Sequence, residues 1–205
     1  MSRATNRRSG TAPTITVNEA AFAAGVSVKA VNQAIDRKHI QTRALRRATD
    51  RAKRGIGASD AVYLRVRQVL APELWPGLYR SFRGKPVAEL PRRLEVGTVV
   101  IDLERVIEEV AGRLRVLERI AERLEVDPEI RGGEPVFRGT RTPVYAIARK
   151  MELGSPAEEL REDYPQLREG DFELASQYAK LYPRRGRPRA ERTGASKGKG
   201  ASPAT

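Results

Sequence analysis

The chain has 205 residues and a formal net charge of +13, with 39 lysines and arginines against 26 aspartates and glutamates. It contains no cysteine and one histidine, His39, so disulfides, thiolate zinc sites, cysteine nucleophiles and paired-histidine metal sites are excluded. These counts predict a protein that is not an enzyme and that needs no metal or cofactor, although they do not exclude a magnesium site made only of carboxylates.

The charge is divided unevenly along the chain. Residues 1–13 carry a net +3 and residues 14–97 a net +9, whereas residues 98–182 carry −5 and residues 183–205 carry +6. Basic segments favour contact with nucleic-acid phosphates, and an acidic segment favours contact with protein. The first residues lack the apolar core of a signal peptide and no stretch is long enough to span a membrane, so we expect a soluble, cytoplasmic protein.

Residues 14–95 have the pattern of a helix-turn-helix domain, which follows a basic segment at residues 1–13 that is predicted to be disordered. Asn18 is predicted to cap a short first helix, Gly25 to form the turn, and Ser27 to cap the second helix. Apolar residues recur on the second helix at helical spacing and are expected to face inward: Val28, Val31, Ala34 and Ile35. Its polar side chains are expected to reach DNA base edges and phosphates: Lys29, Asn32, Gln33, Arg37 and Lys38. The alternative is an ordinary helical hairpin whose polar face is only solvated.

Residues 41–57 are strongly basic and contain two glycines that permit a turn. We interpret this segment as a wing or a basic loop beside the second helix, which positions the protein on DNA by contacting phosphates. The predicted phosphate-binding side chains are Arg43, Arg46, Arg47, Arg51, Lys53 and Arg54. Further along, Ser59 is predicted to cap a helix over Asp60–Leu70, and Trp75 is predicted to pack in the core rather than to stack on a base.

Residues 96–125 are predicted to connect two modules. The segment Val96–Leu103 is typical of one buried strand, and a long helix is predicted over Glu104–Glu125. Apolar residues of this helix follow alternating steps of three and four, which is the spacing of a coiled-coil seam: Ile107, Val110, Leu114, Leu117, Ala121 and Leu124. The seam either packs on its own domain or pairs with a second copy, and a homodimer would present two recognition helices to two half-sites.

Residues 126–182 have the pattern of a trihelical unit with a β-hairpin in front, in which Pro135–Arg138 pairs with Thr140–Thr142. The predicted helices are Val144–Glu152, Pro156–Asp163 and Glu169–Leu181, of which the second opens with a capping box of Ser155 and Glu158. The predicted fold class is therefore mainly α: an N-terminal helix-turn-helix domain, possibly winged, and a C-terminal trihelical domain with a small β-hairpin, joined by a long helix. A cluster of carboxylates on the second helix is interpreted as a solvated surface rather than a metal site: Glu158, Glu159, Glu162 and Asp163.

Several short motifs of this unit occur together in one known family: Asp127–Pro128–Glu129–Ile130, Gly132–Gly133, Arg138–Gly139–Thr140–Arg141, Gly154–Ser155–Pro156 and Asp163–Tyr164–Pro165. On these residues, about a quarter of the chain resembles domain-of-unknown-function family 433. The chain departs from the family pattern at Thr142, where an apolar residue is usual, and at the start of the last helix, where Arg168 and Gly170 replace the usual residues.

The family is similar to antitoxins of bacterial toxin–antitoxin pairs, which often accompany PIN-domain ribonucleases of the VapC type. The resemblance implies a VapB-type antitoxin that neutralises such a toxin by direct binding and represses its own operon through the helix-turn-helix. The expected partners are operator DNA and a PIN-domain ribonuclease toxin, in a homodimer or a toxin–antitoxin hetero-oligomer. The alternative is a dimeric transcriptional regulator without a toxin. An RNA-binding protein is less favoured, because the chain lacks aromatic stacking platforms.

Residues 183–205 are poor in apolar side chains and are predicted to be disordered. Candidate binding residues in this tail are Arg184, Arg185, Arg187 and Arg189. Three interpretations remain open: unspecific phosphate binding, anchoring in the DNA minor groove, and toxin inhibition by pairing with the carboxylates that hold the Mg²⁺ of a PIN nuclease. The resemblance to antitoxins favours the third.

Overall fold

The computed structural model describes residues 14–45 and 53–184, with only the backbone described at residues 44, 45, 53 and 54. The described chain is mainly helical, as the sequence predicts, and it carries three small antiparallel sheets. The predictions made for residues 1–13, for the tip of the wing and for the tail after residue 184 lie outside the described residues.

The N-terminal part consists of a helix-turn-helix with a three-stranded sheet. Its elements are β1 (Thr14–Thr16), α1 (Val17–Ala24), α2 (Val28–Asp36), β2 (Arg43–Leu45), β3 (Lys53–Gly57), α3 (Ala58–Val66) and α4 (Trp75–Phe82). The sheet has the order β1-β3-β2, and both neighbouring pairs are antiparallel. Strands β2 and β3 therefore form the two arms of a wing that follows the second helix. The sequence predicted either a wing or a basic loop here, and the observed strand pairing is that of a wing.

Capping residues define the ends of the first helices. Gly25 ends α1 with a φ of 64°, and the Ser27 hydroxyl accepts a hydrogen bond from the Ala30 backbone N–H at 3.1 Å, so the predicted turn and second cap are confirmed. The predicted cap at Asn18 is wrong. Thr16 caps α1 in a reciprocal capping box with Glu19, because a Thr-x-x-Glu pair satisfies two backbone N–H groups whereas Asn18 alone satisfies one.

Helix α3 begins two residues earlier and ends four residues earlier than predicted. The Asp60 carboxylate accepts the Gly57 backbone N–H at 3.2 Å, which fixes the helix start at Ala58 and makes Ser59 part of the first turn. The core beneath α3 is aliphatic and aromatic, and its largest fully buried side chains include Tyr63, Leu78 and Phe82. Trp75 packs on this core and donates its indole N–H to the Leu70 carbonyl at 3.1 Å, as its predicted role requires.

The segment predicted as one buried strand is instead an exposed hairpin. Strand β4 (Arg93–Val96) pairs with β5 (Val99–Asp102), and Gly97 turns the chain with a φ of 63°. Val99 and Val100 are 39% and 64% exposed. The apolar run was misinterpreted because the glycine that bounds it also permits the tight turn that divides it.

Helix α5 (Glu104–Arg123) joins the two halves of the protein and ends two residues before the predicted position. Its first half contributes Ile107 and Val110 to the N-terminal core. Ile120, near its C-terminal end, and Leu124, just after it, belong to a second core. Part of the predicted coiled-coil seam is therefore buried within one chain and is not available for pairing with a second copy.

The second core is formed by α6 (Val144–Glu152), α7 (Ala157–Asp163) and α8 (Glu169–Leu181), which confirms the three predicted helices. The principal strand pairing differs from the prediction, since β7 (Val136–Phe137) pairs with β6 (Leu124–Glu125), and the predicted hairpin is reduced to a single bridge between Val136 and Pro143. The capping box predicted at Ser155 is absent, because α7 begins after Pro156 and no side chain caps its first turn.

Candidate nucleic-acid interface

Helix α2 presents a polar, mainly basic face to solvent. Lys29, Gln33 and Arg37 are exposed, and they recur at intervals of four residues along one side of the helix. Asn32 is half-buried beside them, and Asp36 introduces one acidic side chain among the basic ones. The opposite side carries Val31 and Ala34, which are completely buried. The structure therefore brings most of the predicted base-reading residues onto one surface, as expected for a recognition helix.

Val28 contradicts the inward orientation that its spacing suggests. It opens α2 and is 42% exposed, next to Lys29 on the outer surface. The reason is its position in the first turn of α2, which extends beyond the core formed with α1. An exposed apolar side chain at this end of a recognition helix is suited to contact a thymine methyl group, so Val28 joins the candidate interface.

The turn after α2 is held by contacts with α3 and α4. Lys38 has a φ of 58°, an uncommon left-handed conformation for a lysine, and its side chain is exposed. His39 lies edge-on to Trp75 with ring centroids 5.2 Å apart, and its Nδ1 lies 3.3 Å from Arg67 Nη1. Desolvation, together with the neighbouring Arg67 and Arg37, lowers the pKa of His39. His39 therefore has a structural role in this turn.

The wing begins directly after this turn. The Gln41 backbone N–H donates to the Tyr79 hydroxyl of α4 at 2.9 Å, which fixes the chain as it enters β2. Arg43 is exposed on β2 and stands opposite Gly55 of β3. The exposed Arg83, just after α4, lines the same small cleft as Arg43. No sequence signal connects Arg83 with the wing, because only the fold brings it beside Arg43, 40 residues away along the chain.

A buried carboxylate lies at the base of the wing. Asp60 is 5% exposed and accepts the Gly57 backbone N–H, so it links the end of β3 to the first turn of α3. Burial raises the pKa of Asp60 to about 6, although the Gly57 hydrogen bond and the charges of Arg43 and Arg83 oppose that increase. The interface therefore contains an acid that titrates between pH 5 and pH 7, behind a basic surface.

The remaining predicted DNA-binding residues lie partly or wholly outside the described part of the chain. Arg46, Arg47 and Arg51 fall in the residues between β2 and β3 that the structure does not describe. Lys53 and Arg54 lie on β3, where only the backbone is described. The predicted phosphate contacts of these five residues remain predictions.

In the residues that the structure describes, no group of three or more histidine, cysteine or acidic side chains is arranged to hold a metal ion. Arg161 forms ion pairs with Glu158 and with Glu169 on the surface formed by α7 and the start of α8. Among the described helices, none is long and apolar enough to cross a membrane.

Comparison with known proteins bears on the C-terminal half. Residues 124–179 match a family model described as a protein of unknown function, DUF433. The chain contains a DUF433 domain. An uncharacterized protein of Sinorhizobium fredii, y4eO, is 40% identical over 91 residues, and the aligned region spans 44% of this chain and 41% of that relative. A crystal structure of a DUF433 member protein from Anabaena variabilis is 29% identical, with 37% of this chain and 75% of that chain covered and a TM-score of 0.29.

Arg138, the first residue of the Arg-Gly-Thr-Arg motif in the DUF433 domain, caps the C-terminal end of α5. Its guanidinium donates to the backbone carbonyls of Ala121, Glu122 and Leu124 at 2.9–3.2 Å. A cation that donates to the last carbonyls of a helix both satisfies them and interacts favourably with the helix dipole. The motif therefore fixes the DUF433 domain to the long helix, and no sequence signal indicates this contact.

A second attachment joins α5 to α8. The Arg123 guanidinium donates to both carboxylate oxygens of Asp171, which also accepts the Arg168 backbone N–H at 2.9 Å. Asp171 is 3% exposed. Its burial disfavours the charged form, but the hydrogen bonds from Arg123 and Arg168 outweigh that effect and lower the pKa of Asp171. The two halves of the chain are also joined directly, because the Tyr182 hydroxyl donates to Glu19 of α1 at 2.7 Å.

The first residue of the candidate toxin-binding set lies against the DUF433 domain. Arg184 forms an ion pair with Glu134 and stacks over the ring of Tyr145 at 4.6 Å from its centroid. Its side chain is nevertheless 61% exposed. Arg184 therefore already has partners within its own chain, whereas Arg185, Arg187 and Arg189 lie outside the described residues.

Proposed function

We propose that the protein is a non-enzymatic DNA-binding antitoxin, which represses its own operon through the N-terminal winged helix-turn-helix and neutralises a PIN-domain ribonuclease through the DUF433 domain and the tail. The observation that carries the DNA-binding part is the exposed basic side of α2, preceded by the Gly25 turn and followed by the paired strands β2 and β3. A helix with one buried and one basic face, beside a wing, has the arrangement of a major-groove reader.

Binding to duplex DNA can be tested by fluorescence anisotropy with a fragment from upstream of the gene. Replacing Lys29, Arg37 and Arg43 by alanine removes three exposed cations of the interface. If each contacts a phosphate, the slope of log K against log salt becomes shallower by about 2.7, because each contact contributes about 0.9. An unchanged slope would contradict the proposal.

A matched control removes the same charge from the C-terminal half of the chain. Arg141, Arg149 and Lys180 are exposed, and replacing all three by alanine lowers the net charge by the same amount. The proposal predicts that this variant keeps the affinity and the salt slope of the parent protein. A loss of DNA affinity equal to that of the Lys29, Arg37 and Arg43 variant would show that binding depends on total charge alone.

The antitoxin part is supported by the resemblance to antitoxins and by the attachment of a DNA-binding module to a DUF433 domain. We expect the full chain to co-purify with a PIN-domain ribonuclease encoded beside it, after nuclease treatment has removed bridging DNA. Deleting residues 185–205 tests the tail and leaves Arg184 with Glu134 and Tyr145. The truncated chain should lose toxin inhibition and retain operator binding, and retained inhibition would assign neutralisation to the DUF433 domain.

A transcriptional regulator without a toxin is the second candidate. It shares the winged helix-turn-helix and differs in its partner, and the large apolar groove beside α5 is compatible with self-association. Recovery of only the protein's own subunit in the co-purification would favour this candidate.

A further inference from the structure

One face of α5 is left open by the residues that the structure describes. Arg105, Glu108, Arg115 and Glu118 are exposed along it, so the face extends over most of the helix. A groove of about 1170 Å³ adjoins this face, and its lining includes Ala111, Leu114, Leu117 and Ala121. A helix of about ten residues, 15 Å long and 10 Å wide, occupies about 1200 Å³, so the groove has the volume of a short helical segment.

The charges on α5 are antisymmetric about the middle of the helix. Residues 104–111 carry three glutamates and one arginine, whereas residues 112–119 carry three arginines and one glutamate. If the helix sequence is reversed about the Ala111–Gly112 bond, an acidic residue coincides with a basic one in three pairs: Glu104 with Arg119, Arg105 with Glu118, and Glu108 with Arg115.

We propose that this face of α5 binds the same face of a second copy in an antiparallel pair, with the two-fold axis beside Ala111 and Gly112. A two-fold contact must be complementary to itself, and the inverted charge pattern satisfies that requirement at all three pairs. Two of the three smallest residues of the helix, Ala111 and Gly112, lie at the crossing point, where two helices approach most closely. The proposal is independent of DNA and toxin binding.

The alternative orientations fit the charges poorly. A parallel pair places Glu108 against Glu108 and Arg115 against Arg115, and like charges directly opposed are destabilising. An antiparallel pair centred five residues further along, where Arg115 faces Glu118, places Glu108 against Glu125. The pairing also differs from the predicted coiled-coil seam, because Ile107 and Val110 of that seam are buried in the chain's own core.

Cysteine cross-linking tests the geometry in the full chain, which has no native cysteine. In the proposed pair, residue 111 lies within one residue of its own copy along the axis, whereas the two copies of residue 118 are separated by about 20 Å. A disulfide requires Cα atoms within about 7 Å. Ala111→Cys should therefore form a disulfide-linked dimer under mild oxidation and Glu118→Cys should not. Equal cross-linking of both variants, or of neither, would overturn the proposal.

Charge reversal provides a second test that does not depend on disulfide formation. Glu108→Arg places two arginines opposite each other at both symmetric pairs and should weaken dimerisation at least tenfold in sedimentation equilibrium at low salt. The double variant Glu108→Arg with Arg115→Glu restores both pairs and should recover the parental dimerisation constant. A monomeric parent protein at 100 µM, or a double variant no better than the single one, would refute the pairing, provided that circular dichroism shows the variants folded.

Discussion

Replacing Asp60 by asparagine should change how stability depends on pH. Asp60 is 5% exposed, and its pKa is raised from 3.8 to about 6. A carboxyl whose pKa is higher in the folded state stabilises the fold fully below the unfolded pKa, and this contribution is lost as the pH rises through the folded pKa. The difference of about two pKa units corresponds to about 3 kcal/mol over the complete titration, of which about 2 kcal/mol falls between pH 4.5 and pH 7.5.

Asparagine keeps an oxygen that accepts the Gly57 backbone N–H but cannot ionise. The free energy of unfolding of the parent protein, measured by urea denaturation, should therefore fall relative to that of Asp60→Asn by about 2 kcal/mol between pH 4.5 and pH 7.5. Glu73→Gln is the control, because Glu73 is an exposed carboxylate of the same module. A constant difference between the parent and Asp60→Asn over this range would refute the argument that Asp60 is ionised at a buried site.

Three further substitutions test the contacts that join the two halves of the protein, each by urea denaturation. Arg138→Ala removes three hydrogen bonds from the end of α5 and should lower the free energy of unfolding by about 2 kcal/mol, whereas the exposed Arg141→Ala should change it by less than about 0.5 kcal/mol. Asp171→Ala leaves Arg123 without its buried partner and should cost about 3 kcal/mol, and a loss below about 1 kcal/mol would contradict the importance of this pair. Tyr182→Phe removes the hydrogen bond to Glu19 and should cost about 1 kcal/mol, so an unchanged midpoint would show that this link between the halves contributes nothing.

Local sequence signals predicted the helix-turn-helix well. Gly25 and Ser27 act at the positions expected of them, because a left-handed turn and a hydroxyl cap depend on the residue and its immediate neighbours. Thr16 and Asn18 are both residue types that can cap a helix. Thr16 caps α1 because it forms reciprocal hydrogen bonds with Glu19. The error at Val28 arose because helical spacing does not indicate how far the core extends along a helix.

Contacts between distant parts of the chain could not be predicted from the sequence. Arg138 lies 14 to 17 residues after the carbonyls that it caps, and Arg83 lies 40 residues after the wing residue with which it shares a cleft. The spacing of apolar residues in α5 was recognised, but it could not distinguish a seam within one chain from a seam between two. The burial of Ile107 and Val110 in the chain's own core makes that distinction, and it leaves the charged face of α5 as the surface that a second copy can contact.

Hydrogen–deuterium exchange of the full chain, with and without an operator duplex, shows which part of the protein binds DNA, because it reports backbone protection along the whole sequence. Binding through the winged helix-turn-helix predicts slower exchange in α2 and in the segment from β2 to β3 when DNA is present, with no change at residues 124–179. Protection confined to the DUF433 domain, or equal protection throughout the chain, would contradict the assignment of DNA binding to the winged helix-turn-helix.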